Sequence, residues 1–129
     1  MNFKQSFVMT ALSLAAVLTS PAVVAGSGHD HSPKHGGVVA EVKDVDYELV
    51  AKPDRVSLHV RDHGKAVDVS KATAKLTLLT AGQKQEVELK PMTDRMEATG
   101  QFNIAKGTRA VALVTLPGKP AVTARFELK

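Results

Sequence analysis

The chain contains no cysteine and no tryptophan, and Tyr47 is its single tyrosine. Without cysteine, no disulfide can hold the fold and no thiolate can bind a metal. A folded domain must therefore rest on its core, and any metal must be carried by His, Asp, Glu, Met or a free amine. With aromatics at 4% of the sequence, that core is predicted to be mainly aliphatic. Long hydrophobic runs are also missing. The apolar stretch from residue 7 to residue 18 falls well short of the ~20 residues a spanning helix needs, and no later segment is a second candidate. A net charge of +4 is modest, and its basic residues are spread along the chain, which argues against a nucleic-acid partner. There is no GxSxG elbow, HExxH helix or phosphate-cradling glycine loop, so the chain is not expected to be an enzyme.

What is present divides into three parts. Residues 1–25 read as a signal peptide: Lys4, the apolar run, then Pro21-Ala22-Val23-Val24-Ala25 with small residues at cleavage-compatible positions. This predicts export to the periplasm and a mature chain without a membrane span. Lys4 is the only charged residue of that segment, so the rest carries a net charge of +3. Residues 26–37, GSGHDHSPKHGG, have no apolar side chain to bury and are expected to form a flexible His-rich tail.

After Gly37 the texture changes to short β-branched runs broken by turn residues, which predicts a β-sandwich domain over 38–129. Strands are expected near 38–43, 46–52, 55–62, 74–80, 85–90, 95–102, 109–116 and 120–128. Turns are expected at Lys52-Pro53-Asp54-Arg55, Asp62-His63-Gly64-Lys65, Ala81-Gly82-Gln83-Lys84 and Pro117-Gly118-Lys119-Pro120. Alternation puts Val56, Leu58, Val60, Ala74, Leu76, Leu78, Val87, Leu89, Val122, Ala124, Phe126 and Leu128 inside. One-sided hydrophobicity on seven to eight short strands suggests an all-β, immunoglobulin-like antiparallel sandwich. A hairpin around Pro53-Asp54 that sets Lys52 opposite Arg55 would also set Leu49 against Leu58 and Tyr47 against Val60 inside, with Glu48 against His59 and Asp46 against Arg61 outside.

All five histidines lie between residues 29 and 63. His29, Asp30, His31 and His35 place three imidazoles and a carboxylate within seven residues, and imidazole suits zinc, copper and nickel. Cleavage after Gly26 would put His29 third, where it joins the free amine and two amides in a square-planar chelate. The bland alternative is a polar tail that happens to contain histidines. His59 is expected on the polar face and His63 in the following turn, ~13 Å apart along an extended strand and so unable to share an ion. Met92 and Met96 offer thioethers to Cu(I) but read better as core filler. Glu41, Asp44, Asp46 and Glu48 read as ordinary strand-end charges.

The stretches H35-G-G-V-V-A-E-V, D46-Y-E-L-V and L58-H-V-R-D-H-G-K-A-V-D-V-S, followed by T115-L-P-G-K and T123-A-R-F, carry a resemblance across most of residues 35–127. They resemble small periplasmic domains of bacterial heavy-metal resistance systems, including the accessory domain of some adaptor (membrane fusion) subunits of RND-type metal efflux pumps. The resemblance implicates His35, Glu48 and His59 and implies a metal-binding accessory role without an activity of its own. The chain lacks the helical hairpin and barrel modules of those adaptors, so the resemblance implies a stand-alone protein. Two functions follow as expectations. One is a periplasmic protein that binds copper, zinc or a similar divalent ion through His29, Asp30, His31, His35, Glu48 and His59, and buffers it or delivers it to efflux components. The other is an immunoglobulin-like interaction module whose edge strands recruit a partner by strand addition.

Overall fold

A computed structural model describes residues 30–129; the signal-peptide assignment over 1–25 and His29 lie outside the described residues. The fold is all-β and antiparallel, with no helix among those residues. Its strands are β1 (Val38–Val42), β2 (Val45–Lys52), β3 (Arg55–Asp62), β4 (Lys65–Ala66), β5 (Thr73–Thr80), β6 (Gln83–Pro91), β7 (Met96–Thr99), β8 (Arg109–Thr115) and β9 (Val122–Glu127). No helix of the described residues is long and apolar enough to cross a membrane.

The strands are hydrogen-bonded in the order β1-β2-β3-β7-β6-β5-β8-β9, with β4 added beside β3. Strand β6 joins the two halves, because its Gln83–Leu89 stretch pairs with β5 and its last two residues pair with β7. Strands β1 and β9 lie against each other without a ladder, so the sheet is nearly closed. Eight of the nine strands are those the alternation predicts; the ninth is the two-residue β4.

Three of the turns owe their geometry to positive φ at both central residues: Lys43 and Asp44 (51° and 65°), His63 and Gly64 (51° and 79°), and Ala81 and Gly82 (49° and 77°). Such primed turns match the right-handed twist of their strands. The Pro53-Asp54 turn lacks that feature, yet the β2–β3 register runs unbroken from Lys52↔Arg55 to Val45↔Asp62. Burial explains why. Tyr47, Leu49, Val56, Leu58 and Val60 are all at most 2% exposed, and a one-residue slip would carry them outward.

The core is mainly aliphatic, filled by these residues with Leu76, Leu78, Met96, Val114 and Ala124. Val87 and Val122, both predicted to point inward, are only partly buried and pack on its margin. One polar pair is embedded in it: the hydroxyls of Thr80 and Thr108 lie 2.8 Å apart, and Thr80 also donates to the Asn103 carbonyl at 2.7 Å.

Candidate metal centre

The outer face of β1, β2 and β3 is polar by sequence, and antiparallel register aligns it in two rows. Glu41, Asp46 and Arg61 form one row, and Val39, Glu48 and His59 form the next. A polar face normally meets water. Here Glu48 is fully buried, Asp46 is 4% exposed and Arg61 is 6% exposed. The cover is the segment of residues 30–37, which packs on this face rather than leaving the domain as a tail.

The chief anchor is the Glu48 carboxylate. It accepts the backbone N–H groups of Lys34 (2.8 Å), His35 (2.8 Å) and Gly37 (3.0 Å). Burial by itself would raise its pKa, but the three donors outweigh this and hold it below the ordinary value. The two glycines make the approach possible. Gly36 has φ of +77°, and a Cβ at Gly37 would lie 2.3 Å from the Leu49 carbonyl oxygen. Two further contacts complete the cover. Arg61 Nη2 donates to the Ser32 carbonyl at 3.0 Å, and the His35 ring stacks on His59 with centroids 3.7 Å apart and planes 12° from parallel.

His31 sits over the first row. Its Nδ1 is 2.8 Å and 2.9 Å from the two Asp46 carboxylate oxygens, and its Nε2 is 3.6 Å from Glu41. The hydrogen bond to Asp46 raises the His31 pKa, partial desolvation opposes this, and the charges of Asp46, Glu41 and Asp30 add to the rise. One ligand atom from each of His31, Glu41 and Asp46 can be chosen so that all lie within 4.8 Å of one another. Tetrahedral zinc, with bonds of about 2.0–2.2 Å, needs ligand atoms about 3.4 Å apart, so the set must contract by up to about 1.4 Å. Asp46 is buried beneath the cover, whereas His31 and Glu41 are exposed.

The residues expected from sequence to be ligands fall in different settings in the fold. His31 lies in the cluster, but its partners are Glu41 and Asp46, which the sequence reading left as ordinary charges. Asp30 instead accepts the Ser32 N–H at 2.8 Å and pairs with Lys34, which together hold it well below the usual carboxylate range. Glu48 is taken up by backbone amides. His35 and His59 are adjacent, but stacked rings direct their nitrogen lone pairs in nearly parallel planes, which do not converge on one ion. His63 lies in the β3–β4 turn beside Asp62. Met96 is fully buried in the core, while Met92 is 42% exposed. The signal that would have found Glu41 is the Lys43-Asp44 hairpin, whose two-residue turn sets Glu41 opposite Asp46.

No protein-family model and no curated protein matches the chain. One solved structure, described as a bromine derivative of BhCBM56, is 13% identical, with the match covering 70% of this chain and 99% of that one at a TM-score of 0.42. A likeness at that level carries no inference about this chain.

Proposed function

We propose that the chain is a periplasmic metal-binding protein that holds a divalent transition ion, zinc or copper, and buffers it or delivers it to a heavy-metal efflux system. The observation that carries this reading is the convergence of His31, Glu41 and Asp46, drawn from the cover segment, β1 and β2. One borderline imidazole with two hard carboxylates suits Zn(II) or Cu(II) better than Cu(I), which favours sulfur ligands. Thioether support is limited, since Met96 faces the core. A remaining coordination position is left for water. Location outside the cytoplasm rests on the signal-like first 25 residues.

Titration of Zn(II) and Cu(II) by calorimetry and native mass spectrometry tests the reading. The parent should take up one ion, and His31→Ala, Glu41→Gln and Asp46→Asn should each weaken binding at least tenfold with the fold intact, as loss of a ligand requires. A parent that binds neither ion, or an affinity untouched by all three substitutions, ends this reading.

A further inference from the structure

Apart from Pro33, which is exposed, residues 30–37 carry no apolar side chain, yet they cover a face on which Asp46, Glu48 and Arg61 are buried. Nothing hydrophobic from the segment holds it down. The contacts that do are few and polar: three backbone N–H groups on Glu48, Ser32 on Arg61, His31 on Asp46, and the His35–His59 stack. Closure also has a cost. Arg61 Nη1, on the same guanidinium whose Nη2 holds the Ser32 carbonyl, is buried with no hydrogen-bond partner among the described residues, so the closed face retains an unsatisfied donor. A cover held by a handful of polar contacts, over a cation it leaves partly unsatisfied, is suited to two states.

We propose that residues 30–37 are a latch held shut by Glu48, and that the latch and the metal site are coupled. The coupling rests on the metal reading given above, because His31 is the one ligand carried by the latch while Glu41 and Asp46 belong to the sheet. Closing the latch places His31 over its partners and so removes the ordering cost of ligation. By reciprocity, an ion that joins His31 to Glu41 and Asp46 must hold the latch closed by the same factor. Glu48 is then a positioning residue. It touches no ion, but it sets how much of the protein is poised to bind one. In this scheme the ion is released by lifting a short strap rather than by unfolding the domain.

Limited trypsin cleavage after the exposed Lys34, followed by mass spectrometry on the full mature chain with and without Zn(II), reads the latch directly. Zn(II) affinity by calorimetry reads the coupling. Glu48→Gln should speed metal-free cleavage after Lys34 at least fivefold and weaken Zn(II) binding at least fivefold, with the melting transition still cooperative. His59→Ala removes the platform under His35 without touching Glu48 or a ligand, and should move both readouts in the same direction by a smaller factor. It serves as the test if Glu48→Gln does not fold. Zn(II) should slow cleavage after Lys34 in the parent and not in His31→Ala. Unchanged metal-free cleavage in both variants overturns the latch. Faster cleavage with unaltered Zn(II) affinity overturns the coupling and leaves the metal reading standing. A parent that binds no Zn(II) removes the coupling together with the metal reading, while the cleavage rates still decide the latch.

Discussion

His35 and His59 lie face to face with ring centroids 3.7 Å apart, one from the cover segment and one from β3. Two imidazolium cations at that separation would repel, so the stack favours at most one charge. Burial pushes the His59 pKa down, and proximity to His35 lowers it further.

The sign of the resulting pH dependence is fixed. A histidine whose folded pKa lies below its unfolded value of about 6.5 is protonated more readily in the unfolded chain. Its contribution to stability is therefore intact above that pH and is lost as the pH falls below it. Melting measured from pH ~7.5 down to ~5 should show the parent losing stability relative to His59→Phe, which keeps the stacking surface and cannot be protonated. A difference between the two proteins that stays constant across this range would show that folding does not lower the His59 pKa.

Met96 and Met92 should separate by an order of magnitude in stability. Met96 is fully buried between Leu58, its partner on β3, and the rest of the core, so truncation leaves a cavity. Met96→Ala should cost about 2–5 kcal/mol by urea denaturation, whereas Met92→Ala, at an exposed position, should fall within about 0.5 kcal/mol of the parent. Equal effects would mean that the β6–β7 connection packs otherwise than described.

These two methionines also mark what sequence reveals. Strand positions were legible wherever one face is buried and the other is polar; β3 spans Arg55–Asp62, the predicted 55–62, and the predicted pairs Glu48↔His59 and Asp46↔Arg61 are both observed. The alternation that sorts Val56, Leu58 and Val60 inward also fixes Glu48 outward. The cover segment was illegible for the same reason. Hydrophobic patterning sees no cause for GSGHDHSPKHGG to pack, since what holds residues 30–37 is a carboxylate on a distant strand gathering main-chain N–H groups. Gly36 and Gly37 belong to the segment that the sequence assigns to a flexible tail. In the fold Gly37 is instead required by its approach to the Leu49 carbonyl. Asp46 and Glu41 were visible only as charges, because their significance depends on where His31 lands.

Metal affinity should respond to pH from a point above the ordinary histidine value. His31 donates to Asp46 and faces Glu41, and these interactions raise its pKa above 6.5. In the metal-free protein this ion pair contributes stability that is fully present below about pH 6.5 and fades as the pH rises through the folded value. An ion must displace that proton before it can use the nitrogen. Zn(II) affinity should then fall about tenfold per pH unit wherever His31 is protonated, and the decline should begin at a higher pH than an unperturbed histidine would give. Asp46→Asn separates the two roles of that carboxylate. It removes a ligand, so binding weakens at every pH, but it also removes the group that holds the proton, so the decline of the residual binding should begin nearer the unperturbed value of about 6.5. Dissociation constants for both proteins across this range check the argument. A Zn(II) affinity that does not change between pH ~7.5 and ~5.5 would mean that the ion is held by carboxylates alone, with the imidazole of His31 serving only to tie the cover segment to Asp46.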